Sequence, residues 1–210
     1  MKRAHDLTRA LCLLIAAPQR RGAGAMSNKT GAGWLINRYE HLKQEPSDIN
    51  EHLEILHKLA MECDSITEFG VRSGVSTTAL LASFPVRYTG YDLKPLPEIK
   101  TIQEMARLSG VDAKFAVEDT GYAMIASTDM LFIDSDHTCD HLLKELRQAP
   151  MVERYIVVHD TTTFPELAET CYAWLDTQLG YHWRMNFRFH NNNGLMVLAR
   201  IGNQLKGSNQ

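Results

Sequence analysis

The chain has 210 residues, enough for one ordinary domain with a short tail. At that length a protein buries about 70% of its unfolded surface, so disulfide or metal staples are not needed. Hydrophobic residues at 44% and charged residues at 22% are average for a soluble globular protein, and a net charge of −3 excludes a general basic footprint for nucleic acid.

The first 25 residues differ from the rest: Lys2, Arg3, Arg9, Arg20 and Arg21 against Asp6 give +4, leaving −7 for the remainder. The apolar run Ala10–Ala17 between them is too short to span a bilayer, so no membrane partner is expected. A secretory signal, an organellar presequence and an upstream start ahead of Met26 all fit a basic start with a short apolar stretch. Arg20 and Arg21, together with four scattered cysteines (Cys12, Cys63, Cys139, Cys171) in no metal-binding spacing, favour a dispensable extension on a cytoplasmic protein. Residues 1–30 are therefore read as a disordered extension, 31–202 as one domain and 203–210 as a flexible tail.

From Ser47 onward short apolar runs alternate with helical patterns, the mark of βαβ units around a parallel sheet. Asp48 and Glu51 resemble a capping box, with Ile49, Leu53, Leu56 and Ala60 along the helical face that follows. Strand Ser65–Phe69, helix Val75–Phe84, strand Arg87–Tyr91, a helix near Glu98–Leu108 and strand Ala113–Val117 come next. Met130–Ile133 is uninterrupted and apolar, as expected of a strand buried on both faces. A helix bearing Leu142, Leu146 and Ala149, strand Tyr155–Val158 and helix Glu166–Leu179 complete the alternation. The ending breaks it: strands Trp183–Phe189 and Leu195–Arg200 flank His190-Asn191-Asn192-Asn193-Gly194, which reads as a tight antiparallel hairpin.

Candidate chemistry gathers at the strand ends. Glu68-Phe69-Gly70-Val71-Arg72-Ser73-Gly74 joins the first strand to a helix, and its glycines permit a sharp turn and close ligand approach. A turn that merely needs glycines explains them too, but Glu68 would repel a phosphate. It suits instead a cationic cofactor, such as one with an ammonium and a sulfonium. Asp92 falls 24 residues after Glu68, near the spacing of a ribose-binding carboxylate, and Asp119 after the third strand could accept from an adenine amino group.

The fourth strand ends in Asp134-Ser135-Asp136-His137 and the fifth in His159-Asp160-Thr161, tips that face one crevice in a parallel sheet. Such carboxylates and imidazoles suit a divalent cation, though helix capping by Asp136 and Asp160 and a polar network around His137 would also use them. His141, four residues beyond His137, reads as a supporting residue, and Arg184, Arg188 and His190 as substrate contacts or a solvated strand face.

The strings Thr67-Glu68-Phe69-Gly70, Phe132-Ile133-Asp134-Ser135-Asp136-His137 and Val158-His159-Asp160-Thr161 resemble class I S-adenosylmethionine-dependent methyltransferases of the cephalosporin-hydroxylase and macrocin O-methyltransferase-like group. The resemblance runs from about Ser47 to Arg200; Arg72 departs from it, standing where many relatives have glycine. It implies a Rossmann-like three-layer α/β sandwich with a seven-stranded, mostly parallel sheet of order 3-2-1-4-5-7-6 and an antiparallel last strand. It implies S-adenosyl-L-methionine at Glu68, Gly70, Arg72, Ser73, Gly74, Asp92, Asp119 and Asp134. For metal-dependent members it implies Mg2+ or Mn2+ at Asp134, His159 and Asp160, with Asp136 or His137 as proton acceptor. The expected reaction is O-methylation of a small molecule or sugar, with no nucleic-acid partner and with self-association into a homo-oligomer. A metal-dependent hydrolase or oxygenase, and a non-catalytic cofactor-binding module, remain as rivals; a nicotinamide oxidoreductase is disfavoured by Glu68 and the terminal hairpin.

Overall fold

The computed structural model describes residues 30–202, so the expected tail and all of the expected extension but Thr30 lie outside the described residues. The elements are α1 (Gly31–Leu42), a 3-10 turn (Asn50–His52) leading into α2 (Leu53–Ala60), β1 (Ser65–Phe69), α3 (Val75–Leu81), β2 (Arg87–Asp92), α4 (Glu98–Leu108) and β3 (Asp112–Val117). There follow β4 (Thr128–Ile133), α5 (Cys139–Glu145) with a 3-10 segment (Leu146–Met151), β5 (Val152–His159), α6 (Pro165–Leu175), a 3-10 turn (Gly180–His182), β6 (Trp183–Phe189) and β7 (Leu195–Arg200). The strands form one seven-stranded sheet of order β3-β2-β1-β4-β5-β7-β6. Pairs among β1 to β5 are parallel, while β7 runs antiparallel to both β5 and β6.

Strand alternation builds the three layers. Along β4, Met130 and Phe132 pack with the apolar faces of α1 to α4, whereas Leu131 and Ile133 pack with those of α5 and α6. In β7, Leu195 and Val197 face the first layer and Met196 and Leu198 the second. A strand with helices on both sides must be apolar at every position, which is what the unbroken Met130–Ile133 run encodes. Among the described residues no helix is long and apolar enough to cross a membrane.

Three local expectations are corrected. Helix α1 lies ahead of Ser47, where no element was expected, because Gly31 and Gly33 are poor helix formers. Its N-terminus rests directly on α4: a Cβ on Gly31 would sit 2.3 Å from the Met105 carbonyl oxygen. The Thr30 hydroxyl caps it by accepting the Gly33 N–H at 3.2 Å. Thr30→Ala is expected to lower the unfolding free energy by about 1 kcal/mol, measured by urea denaturation; an unchanged midpoint would mean α1 contributes nothing to the cooperative unit.

The capping box at Asp48 and Glu51 is not formed. The Asp48 carboxylate pairs with Arg72, Glu51 bonds the hairpin, and a 3-10 turn without a side-chain cap leads into α2. Helix α6 ends at Leu175 rather than Leu179, because the Thr177 hydroxyl donates to the Trp174 carbonyl at 2.7 Å and accepts the Gly180 N–H at 3.2 Å. The hairpin forms as expected, with Asn192, Asn193 and Gly194 all at positive φ.

Candidate functional site

The carboxyl ends of β1 and β4 meet at the point where the strand order reverses, the place where open α/β sheets bind ligands. The Asp134 N–H donates to the Phe69 carbonyl at 2.8 Å. Gly70 turns away there at φ +87°, and a Cβ on it would lie 2.0 Å from the Asp134 carbonyl oxygen, so only glycine fits. Gly74, at φ +80°, then opens α3, and Ser73 between it and Arg72 is half-buried.

Asp92, at the end of β2, is committed to this loop. One carboxylate oxygen accepts the amides of Val71 and Arg72 at 2.9 and 2.8 Å, and the other accepts the Lys94 amide at 2.7 Å. A carboxylate offers about four acceptor positions, so one is left where the ribose expectation asked for two. Asp119 is half-exposed, with one oxygen accepting the Gly121 N–H at 2.9 Å.

Glu68 does not line the crevice as a counter-charge. It is fully buried beneath the loop, accepting hydrogen bonds from Ser76 Oγ at 2.5 Å, Thr77 Oγ1 at 2.7 Å and the Tyr88 hydroxyl. Burial pushes its carboxyl up to about 7, against the opposing pull of those three donors. It therefore pins the loop and α3 from below, and Ser76, Thr77 and Tyr88 are partners that the sequence motif did not reveal.

At the tips of β4 and β5, Asp134, His137 and Asp160 bring one ligand atom each to within 4.8 Å of one another. His159 was expected in that set and is not in it. Its side chain points under the sheet, where Nδ1 contacts Asp134 Oδ1 at 3.2 Å and Asp160 Oδ2 at 3.4 Å, and its buried Nε2 has no partner. Burial alone would lower His159, but the bonds to Asp134 and Asp160 outweigh it and hold the imidazole up at about 9. His52, edge-on at 5.4 Å and pushed down to about 4 chiefly by burial, backs His159 as a neutral ring.

His137 takes the third place instead. Its Nε2 is 2.8 Å from Asp160 Oδ2 and 4.0 Å from Asp134 Oδ1, and its ring stacks on Phe164 at 4.5 Å. The 2.8 Å approach lacks hydrogen-bond alignment, so it is a charge contact with the ring nitrogen left unsatisfied. Burial would raise Asp160, but His137 and His159 hold it well below the usual carboxylate range, whereas burial raises Asp134. Asp160 occupies the left-handed region at φ +59°. Asp136 is exposed and makes no hydrogen bond or ion pair among the described residues.

A polar floor links the β3 and β4 tips. Thr120 Oγ1 and His141 Nε2 are 2.8 Å apart, His141 Nε2 lies 3.4 Å from Glu145 Oε1, and Ser135 Oγ donates to that oxygen at 2.5 Å. His141, expected as a supporting residue, sits in this floor between Thr120 and Glu145. Glu145, buried and raised by desolvation, went unrecognised because it sits inside a helical pattern.

No family model matches the sequence, and no curated protein is significantly similar to it. Solved structures match in shape. The SAH-bound methyltransferase PaMTH1 of Podospora anserina is 13% identical over 94% of this chain and 95% of that one, with a TM-score of 0.56. The O-methyltransferase TomG of Streptomyces achromogenes, involved in tomaymycin synthesis and solved with SAM, is 13% identical over 85% and 92% of the two chains, with a TM-score of 0.54. The chain has the class I methyltransferase fold. A ribosomal protein L11 methylase from Lactobacillus delbrueckii subsp. bulgaricus is also similar, 12% identical over 71% and 79% of the two chains at a TM-score of 0.51. The methyltransferase fold thus spans neighbours with dissimilar acceptors, and the acceptor has to be argued from the site.

Proposed function

We propose that this protein is an S-adenosylmethionine-dependent methyltransferase acting on a hydroxyl of a small molecule or sugar, with a divalent cation, Mg2+ or Mn2+, held by Asp134, His137 and Asp160. The observation that carries this is the contact of Gly70 with Asp134, which places the glycine loop and the carboxylate cluster on one crevice at the switch point of the sheet. The donor set fits a hard cation: two carboxylates on adjacent strands and an imidazole nitrogen that has no aligned partner.

When bound, S-adenosylmethionine supplies an electrophilic methyl group, and a cation supplies a Lewis acid for the acceptor oxygen. The chain's residues do the rest. His159 orients both carboxylates from behind, and Phe164 fixes the plane of His137. Asp136, exposed and unpartnered among the described residues, takes the proton of the acceptor hydroxyl. His137, expected beside it as a second proton acceptor, serves here as a ligand. A net charge of −3 and the paired carboxylates Asp134 and Asp160 at the strand tips favour a small acceptor over a phosphate backbone.

A thermal-shift titration tests the reading. S-adenosylmethionine and S-adenosylhomocysteine are expected to raise the melting temperature and NAD to leave it unchanged. A panel of phenols and sugars with Mn2+ should then release S-adenosylhomocysteine in an acceptor-dependent way. A shift with NAD alone, or chelator-sensitive turnover indifferent to S-adenosylmethionine, would replace the methyltransferase with an oxidoreductase or a metal-dependent hydrolase.

A further inference from the structure

Arg72 lies in the β1–α3 loop at φ +45°, a conformation disfavoured for any residue with a Cβ. Its backbone is pinned there: the N–H donates to Asp92 at 2.8 Å and the carbonyl accepts the Leu96 N–H at 3.3 Å. The strain is thus over-determined by neighbours, the usual mark of a position kept for what its side chain does. The guanidinium reaches Asp48 Oδ2 at 2.9 Å, and its charge is reinforced first by Asp48 and, against partial burial, also by Asp134 and Asp160.

Asp48 is presented on a strap tied to the terminal hairpin. Asn192 Nδ2 donates to the Ser47 carbonyl at 2.7 Å, the Glu51 N–H to Asn192 Oδ1 at 3.0 Å, and Asn191 Nδ2 to Glu51 Oε2 at 2.5 Å. The ion pair thus joins the glycine loop to the hairpin side of the crevice. Both partners keep solvent contact, with side-chain exposures of 67% for Arg72 and 38% for Asp48, so the pair can exchange.

S-adenosylmethionine brings two positive centres and one carboxylate. The positive centres suit a crevice edged by the carboxylates of Asp134 and Asp160; the carboxylate does not. Nor can much of the loop backbone receive it. The amides of Val71 and Arg72 are taken by Asp92, and that of Gly74 by the Val71 carbonyl at 2.8 Å. A guanidinium has five N–H donors, and Asp48 engages one of them here.

We propose, on the footing of the methyltransferase reading, that Arg72 binds the carboxylate of S-adenosylmethionine and that Asp48 is a built-in stand-in for that carboxylate, orienting the guanidinium beforehand and competing for it. Arg72 is then a cofactor-specificity residue that reads the amino-acid end of the ligand, and Asp48 tunes affinity from the hairpin side.

Calorimetry with two nucleosides tests this on the full chain. S-adenosylhomocysteine carries the carboxylate and 5′-methylthioadenosine lacks the whole amino-acid end. Arg72→Gly relieves the positive φ and so keeps the fold, while Arg72→Lys keeps charge with fewer donors. Arg72→Gly is expected to weaken S-adenosylhomocysteine roughly tenfold, with Arg72→Lys intermediate, and to leave 5′-methylthioadenosine within about twofold. Asp48→Asn should tighten S-adenosylhomocysteine about two- to fivefold and lose that effect in the Arg72→Gly background. Equal losses for both nucleosides, or none, overturn the role of Arg72. A gain from Asp48→Asn that persists without Arg72 overturns the competition. If neither nucleoside binds the wild-type chain, the methyltransferase reading fails and this proposal with it, an outcome set apart by the silence of 5′-methylthioadenosine too.

Discussion

Asp160→Asn is expected to cut methyl transfer by roughly a thousandfold while leaving S-adenosylhomocysteine affinity within about twofold. The substitution is chosen for its backbone. Asp160 sits at φ +59°, which asparagine tolerates at least as well as aspartate, so shape and turn are kept and only charge is lost. That charge is the hub of the cluster, 2.8 Å from His137 Nε2 and 3.4 Å from His159 Nδ1. Without it His159 loses one of the two carboxylates that hold its imidazole up, and a divalent cation loses one of two carboxylate ligands. Several kcal/mol of charge stabilisation at the acceptor oxygen is about what one Lewis-acid contact supplies, hence the factor expected. Turnover by release of S-adenosylhomocysteine and Mn2+ binding by calorimetry measure the two halves. Full activity of the variant in chelator would remove the cation from the mechanism, and joint loss of nucleoside binding would mean the tips of β4 and β5 also shape the nucleoside site.

The architecture was legible because it rests on patterns that burial enforces. An unbroken apolar β4, alternating apolar runs before each helix and an Asn-Asn-Gly turn leave few arrangements open. Helix α1 was not legible: two glycines in its first turn signal a loop locally, and for Gly31 the close approach to Met105 on α4 is the reason for a glycine. At the candidate site, the sequence named residues at strand tips, but side-chain direction is not encoded in that pattern. A carboxylate at a strand end can join a side-chain cluster, a loop or the interior, and Asp134, Asp92 and Glu68 do these three things in turn. For His159 a signal was present. It shares the period-two phase of Val157, which packs in the first helix layer, so its ring lies on that face of the sheet, behind Asp134 and Asp160. His137 lies past the end of its strand, where that phase no longer applies, and its placement follows from stacking on Phe164, a contact 27 residues away in sequence.

Replacing Glu68 by Gln is expected to flatten the pH dependence of stability between about pH 4.5 and 7. The sign follows from linkage. Burial raises the folded-state carboxyl from an ordinary 4.5 to about 7, so folding favours the protonated acid. The stability it contributes is fully present below pH 4.5 and is lost as pH rises through about 7, a difference of roughly 3 kcal/mol for a fully buried group. His159, also raised, adds a loss of the same sign in a higher window, between its ordinary 6.5 and about 9, so the two can be separated by pH. Glutamine has nearly the shape of the protonated acid, and the hydroxyls of Ser76, Thr77 and Tyr88 can rotate to accept its amide as well as donate to its oxygen. Urea denaturation at pH 5, 7 and 8.5 should show the variant matching wild type at the lowest pH and exceeding it at the highest. An unchanged slope would mean Glu68 is ionised throughout. The same variant separates two roles for this position. A peg beneath the loop predicts S-adenosylhomocysteine affinity within a few fold of wild type, because the loop is held by hydrogen bonds that glutamine preserves. A counter-charge for the ligand's ammonium predicts a loss of tenfold or more, since one unscreened charge contact in a dry crevice is worth over about 1.4 kcal/mol. The complete burial of the carboxylate under three hydroxyls is the observation that favours the peg.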